Sequence, residues 1–265
     1  MQKLATRHGC ESLLAEIVAA KRQEVERRRA EVVEAQLLRS AEARVPRPFA
    51  AALLRPGRAI IAEMKRASPS RGILLENYRP AEIAHAYESA GARALSVLTD
   101  GPWFGGSLDH LRQARQATSL PVLRKDFLVD PYQVSEAAAA GADAVLLIVA
   151  AVDEARLRAL FHRAADLGLE ALLEVHTEEE VEQAAALGAQ LIGVNNRNLS
   201  TLAVSMETSL RLRPRIPDGA VAVSESGLRA REDLARLEAV GFRAFLIGEH
   251  LLTAPDPGAA LRALL

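Results

Sequence analysis

The sequence predicts an α/β fold, a (β/α)8 TIM barrel with an N-terminal helical extension, and three observations predict it. From Ala59 onward the chain repeats one unit: a helix rich in Ala and Leu, a Gly, a small or polar residue or two, and a short strand of Val, Leu and Ile. Those strands are apolar throughout instead of alternating, as parallel strands buried on both faces must be. Eight of them follow one another in a chain of 265 residues, a length suited to a single barrel. The rival is an open doubly wound sheet, but no Gly-rich dinucleotide fingerprint follows any strand.

Taken in order, residues 1–57 form the expected extension within one barrel domain spanning 1–265. From Ser12 to about Ala43 the pattern is helical, with Leu13, Leu14, Ile17 and Val18 on one side and Val25, Val32 and Val33 continuing it. Glu and Arg at helical spacing between Lys21 and Glu34 read as a solvated face and not as a nucleic-acid site. Pro46, Pro48, Pro56 and Gly57 break the pattern before the first strand. That strand opens AIIAEMKRASPS from Ala59, and Ser68-Pro69-Ser70-Arg71-Gly72 turns it into a polar loop. Gly91, Gly141, Gly168, Gly188 and Gly241 stand where helices should end, since Gly adopts the left-handed cap without steric cost. Strands follow as ALSVLT from Ala94, AVLLIV from Ala144, EALLEV from Glu170, LIGVNN from Leu191 and AFLIGE from Ala244. PVLRKD from Pro121 and AVAVSES from Ala220 complete the eight without that glycine.

Composition narrows the function. Apolar residues make up 49% and charged ones 25%, with a formal net charge of −1, the profile of a globular enzyme with no global field to recruit nucleic acid. The single cysteine, Cys10, excludes an internal disulfide and a cysteine metal cluster. No apolar signal core lies in Met1 to Gly9, and the longest apolar run, Ala144 to Val152, is about half a membrane span. We expect a cytoplasmic protein without nucleic-acid or membrane partners. The six histidines show no ligand spacing, so no metal is expected.

Barrel active sites form at the C-terminal ends of the strands, and polar residues collect there. The first strand ends in Glu63 and Lys65, which share a face because residues two apart in a strand do. The second ends in Thr99 and Asp100, the third in Lys125 and Asp126, and the fifth in Glu174 and His176. Asn195, Asn196 and Arg197 end the sixth, and Ser224, Glu225 and Ser226 the seventh. A Lys beside another cation loses basicity, and a Glu in an apolar setting gains it. Lys65 and Lys125 are therefore expected to perturb each other, with Glu63 holding either. Glu174, after Leu172 and Leu173, is the expected base. Asp126, adjacent to Lys125, should face outward. Ser226-Gly227 and Gly248-Glu249 place lightly covered backbone amides where barrels bind phosphate. The Glu249 side chain, which would repel phosphate, should turn away. Phe104 and Phe127, with Trp103 nearby, are core residues or a wall for a planar ligand.

These stretches carry a likeness. LLAEIVAAKRQEV, AEMKRASPS, LSVLTD, FGGS, PVLRKDF, ADAVLLIV, LLEVH, IGVNNRNL, VSESG and FLIGE, in that order, resemble the indole-3-glycerol-phosphate synthase family of tryptophan biosynthesis over nearly the whole chain. The resemblance implies a carboxy-lyase that cyclises 1-(o-carboxyphenylamino)-1-deoxyribulose 5-phosphate with loss of CO2 and water, using no cofactor. It implies that Lys125 is the general acid, Glu174 the base for dehydration, Lys65 a contact to the substrate's anionic groups and a second candidate proton donor, and Glu63 the carboxylate that orients the lysines. Asn195 and Arg197 would bind the substrate's polar groups, with Ser68 also in contact. Ser226, Gly227, Gly248 and Glu249 would form the phosphate site, and Phe104, Phe127 and Leu146 the anthranilate pocket. Glu249 stands where some relatives have Ser. Contact with other tryptophan-pathway enzymes is an expectation of the same kind.

Two other readings compete. A phosphosugar isomerase like phosphoribosylanthranilate isomerase shares the barrel and phosphate site but looks to a Cys and an Asp, and Cys10 precedes the barrel. A non-catalytic barrel subunit would have no use for the acid and base groups. The N-terminal helices are expected to cover part of the barrel mouth, and the loop from Arg66 to Tyr78 to close over it.

Overall fold

The computed structural model describes residues 13–199 and 201–265; Cys10 and His8 lie outside them. Eight parallel strands, each hydrogen-bonded to its sequence neighbours, close into a barrel: β1 (Ala59–Met64), β2 (Ala94–Leu98), β3 (Val122–Lys125), β4 (Ala144–Ile148), β5 (Glu170–Val175), β6 (Leu191–Asn195), β7 (Val221–Glu225) and β8 (Ala244–Ile247). The last joins the first, with Ala59 opposite Ala244 and Ile61 opposite Leu246. Each strand lies within its expected stretch. Gly91, Gly141, Gly168, Gly188 and Gly241 all take positive φ where helices end, because a left-handed residue lets the last turn's carbonyls be capped.

Strand parity divides the core in two. Ala59, Ile61, Ala94, Leu123, Ala144, Leu146, Leu172, Leu191, Val221, Val223, Ala244 and Leu246 fill the barrel. The alternate residues, such as Ile60, Ala62, Leu95, Val145, Leu173 and Phe245, pack outward beneath the helices. Continued upward, the inward parity passes through Glu63, Lys125, Glu174, Asn195 and Glu225, so the layer that forms the barrel mouth is polar.

The N-terminal segment forms three helices, α1 (Leu13–Glu31), α2 (Glu34–Glu42) and α3 (Phe49–Leu53). Val33 corrects the sequence reading: it does not continue an apolar stripe but caps α2 in extended backbone and is 63% exposed. The charged segment is also not a simple solvated face. Lys21 is buried, Arg28 reaches Glu136 at 3.2 Å, and Arg29 reaches Asp130 at 2.5 Å. At the opposite end of the barrel, α3 sets Phe49 and Leu53 against the inner core, and Glu170 accepts the Phe49 and Ala50 amides at 2.5 and 2.9 Å. The loop after β1 holds a small hairpin, Ala67–Ser68 against Gly72–Ile73, where the sequence suggested only polar loop. No helix among the described residues is long and apolar enough to cross a membrane.

Candidate active site

A cavity of about 690 Å³ opens at the C-terminal ends of the strands. Glu63, Lys65, Ser68, Lys125, Glu174, Asn195, Arg197 and Glu225 line it, together with Phe104, Phe127, Leu146, Ser226, Gly227, Gly248 and Glu249. The residues assigned roles from the family resemblance all line this one space, whereas Thr99, Asp100, Trp103, His176, Asn196 and Ser224 do not. Leu13, Leu14 and Ile17 of α1 also line it, as expected of helices that cover the mouth.

Lys125 holds the centre. Its ammonium lies 2.8 Å from Glu225 Oε2 and 3.1 Å from Glu174 Oε2. Asn195 donates its side-chain amide to Glu174 Oε1 at 3.0 Å, and the backbone N–H of Arg197 donates to Asn195 Oδ1 at 3.0 Å. Lys65 pairs with Glu63 at 2.5 Å. Room for these carboxylates comes from glycine: a Cβ on Gly193 would collide with Glu225 Oε1, and one on Gly248 with Glu63 Oε1. At the other wall the Phe104 and Phe127 rings stand 6.2 Å apart, tilted by 34°. Trp103 is not part of this wall and lies in a separate groove beside Lys21 and Asp100.

The family model described as Indole-3-glycerol phosphate synthase matches residues 14–264. The chain belongs to the indole-3-glycerol phosphate synthase family. It is 53% identical to indole-3-glycerol phosphate synthase 2 of Streptomyces coelicolor over 95% of this chain and 98% of that one. Indole-3-glycerol phosphate synthase of Rhodospirillum rubrum is 51% identical over 96% of this chain and 98% of its own. Among solved structures, 3-hexulose-6-phosphate synthase aligns with a TM-score of 0.62 at 15% identity, covering 78% of this chain and 97% of that chain, a likeness of fold.

Within this synthase-family barrel the electrostatics depart from the sequence reading in three ways. Lys125 is not depressed as expected. Burial works against the Lys125 charge, but Glu225, Glu174 and Glu63 more than offset it and raise its pKa. Nor is Glu174 made basic by its apolar strand: burial pushes its pKa up, yet Lys125, His176 and Asn195 hold it below the usual carboxylate range. Glu225 is instead the carboxyl whose pKa rises, to about 7, through burial and repulsion from Glu174 against the pull of Lys125. Glu63 stays low because Lys65 and Lys125 overcome its burial.

Glu249 is the third departure from expectation. It does not turn away but remains on the cavity wall, where Arg71 of the hairpin loop donates to it at 2.8 and 3.0 Å. Burial raises its pKa, but Arg71, Lys65 and Arg197 lower it further than burial lifts it. Asp126 does face outward as expected, into Lys21, Arg124 and Thr99.

Glu225 and Arg71 are the site residues that the sequence reading passed over. For Glu225 the signal was present, since it shares inward parity with Val221 and Val223. Arg71 had none, because its position depends on how the hairpin folds back. The isomerase reading turned on Cys10, which lies outside the described residues.

Proposed function

We propose that this chain converts 1-(o-carboxyphenylamino)-1-deoxyribulose 5-phosphate into indole-3-glycerol phosphate at the barrel mouth. The observation that carries the reading is the partly buried Lys125 ammonium held between Glu174 and Glu225, a proton donor and proton acceptors preorganised at one point of a cavity large enough for the substrate. The aromatic ring of the substrate lies against Phe104, Phe127 and Leu146. Its phosphate is bound by backbone amides at Ser226, Gly227, Gly248 and Glu249, with Arg71 and Lys65 supplying positive charge. Arg197, Asn195 and Ser68 bind the remaining polar groups.

The chemistry then divides among the groups. Lys125, kept protonated by its carboxylates, gives a proton to the ketone oxygen as the ring carbon bearing the carboxylate attacks the ketone carbon. Loss of CO2 restores the aromatic ring. Glu174, kept ionised, takes a proton from the CH2 beside the nitrogen while the new hydroxyl leaves as water. Glu225, whose pKa burial lifts to about 7, supplies the proton for that leaving group. Glu63 holds Lys65 toward the substrate's anionic end. Each such proton transfer is worth about 10²–10⁴-fold in rate.

Two finer readings are proposed with it: a cytoplasmic setting, as the sequence led us to expect, and contact with other enzymes of tryptophan biosynthesis, as the family resemblance implies. The helices of the first 57 residues belong to the same unit as the barrel, a reading supported by Leu13, Leu14 and Ile17 in the cavity wall.

The test is the appearance of indole fluorescence when the purified protein meets this substrate in the presence of a chelator, with Lys125→Ala alongside. Product from the wild type and a loss of about 10²-fold or more in the variant are expected. A wild type that forms no product, or a variant as active as wild type, would reject the assignment.

A further inference from the structure

One buried cation lies outside the cavity and has no part in the chemistry above. Lys21, in the middle of α1, is 2% exposed. Its ammonium sits 2.8 Å from Asp100 Oδ2, 3.0 Å from Asp126 Oδ1 and 2.8 Å from Glu24 Oε2. Burying such a cluster is costly, and an apolar replacement of similar volume would often be neutral for stability or better. Its placement suggests a different use.

Each of the two aspartates holds the backbone of one wall of the cavity. Asp100 Oδ1 accepts the Trp103 N–H at 2.9 Å, capping the short helix Gly101–Phe104, whose last residue is Phe104. Asp126 Oδ1 accepts the N–H of Phe127 at 2.8 Å. Asp126 is also tied to Arg124 at 3.0 Å and to Thr99 at 2.5 Å, so it forms the fixed side. The backbone before Asp100 is already tied to that side at Thr99, and the Asp100 carboxylate is joined to it through Lys21. Gly106, just beyond the short helix, leaves the segment little slack, since a Cβ there would strike the backbone of Leu98 and Asp100.

We propose that Lys21 is a positioning residue for the aromatic end of the substrate: by bridging Asp100 to Asp126 it sets the relative placement of Phe104 and Phe127, against which that ring lies. The inference rests on the synthase reading of the cavity. Without the ammonium, two neighbouring carboxylates repel, Asp100 loses its counterion, and the capped segment carrying Phe104 relaxes away from Phe127. Among the described residues, Ser226, Gly227 and Gly248 on the anion-binding side of the cavity share no hydrogen bond or ion pair with this bridge, so the effect should be confined to one end of the ligand.

The experiment uses the full chain and its Lys21→Met, Lys21→Arg and Asp100→Asn variants. Calorimetric binding of 2-aminobenzoate probes the aromatic end, and binding of inorganic phosphate probes the other. Lys21→Met is expected to weaken 2-aminobenzoate about tenfold and to raise KM by a similar factor, with kcat changed by less than about threefold. Phosphate binding should stay within about twofold, and Lys21→Arg should recover most of the loss. Should Lys21→Met fail to fold, Asp100→Asn keeps a cap acceptor while dropping the charge, and the same split in smaller measure is expected. Equal weakening of both ligands, or no weakening of 2-aminobenzoate in a folded variant, would overturn the proposal. The binding arms need no turnover, so a wild type that forms no indole product removes the synthase reading while the split between ligands still decides on Lys21.

Discussion

Lys125 Nζ lies 2.8 Å from Glu225 Oε2, and both pKa values are raised for different reasons: burial opposes the lysine's charge but its carboxylate neighbours lift its pKa, while burial itself lifts the glutamate's to about 7 against the pull of the lysine. Three carboxylates share two lysines at the barrel mouth, and that excess of negative charge in a buried place is relieved by leaving one carboxyl close to its neutral form. The barrel thus presents a charged acid, an ionised base and a carboxyl able to go either way within one layer of side chains.

Glu225 makes stability depend on pH in a direction opposite to that of an ordinary ion-paired carboxylate. Its folded pKa, about 7, lies above the ordinary glutamate value of 4.5, so between those values the folded state binds more protons than the unfolded one, and stability falls as pH rises through that window. Glu225→Gln removes this contribution. Thermal melts between pH 5 and pH 8 should show the wild type losing more of its Tm than the variant over that range. A parallel decline in both would remove Glu225 as the cause.

Gly193 is predicted to act on Glu225 by sterics alone. A Cβ there collides with Glu225 Oε1 and comes to 3.3 Å from Leu172 Cδ1, and no positive φ complicates the substitution. Gly193→Ala should cost about 1–3 kcal/mol of stability. It should also lower kcat/KM by about tenfold or more, since displacing Glu225 shifts its partner Lys125. Urea unfolding together with steady-state kinetics checks both, and unchanged kinetics would mean that Glu225 has another place to go.

Arg71 and Glu249 form an exposed pair across the mouth, with side chains 57% and 23% exposed, so the pair contributes about 0–1 kcal/mol to stability. Its larger effect should be on anion binding, because the Glu249 carboxylate competes with phosphate for the guanidinium. Glu249→Ser is expected to tighten inorganic phosphate binding several-fold, by roughly the 1 kcal/mol that one freed charged contact supplies. Arg71→Ala should weaken it, and both effects should shrink in high salt. Isothermal titration at two ionic strengths distinguishes this from a Glu249 that merely orients Arg71, for which Glu249→Ser would weaken binding.

Glu170 tests the far end of the barrel. It accepts the Phe49 and Ala50 amides at 2.5 and 2.9 Å, so Glu170→Ala should cost about 1–3 kcal/mol of stability without changing kcat/KM at a temperature where the variant is folded. Denaturation midpoints and rates measured on one preparation would show whether the two ends are separable.

The sequence by itself determined the eight strands, the parallel barrel and the collection of polar residues at its mouth. Each of these follows from local pattern: apolar runs of strand length, glycine where a helix must end left-handed, and charge admitted only at strand ends. Motifs such as LRKDF and LLEVH also carried Lys125 and Glu174 to the site. Tertiary structure decided what these groups are. Glu174 follows two leucines in sequence and was expected to be made basic by them, but a pKa answers to neighbours in space, and Lys125, His176 and Asn195 come from other strands or from beyond the strand end. Glu225 acquired the raised pKa for the same reason. Lys21, legible only as one charge on a helical face, became buried because Asp100 and Asp126 arrive from two strand ends to meet it. Period and composition are properties of one segment, whereas the sign of a pKa shift and the partner of a buried charge exist only once distant segments share a site.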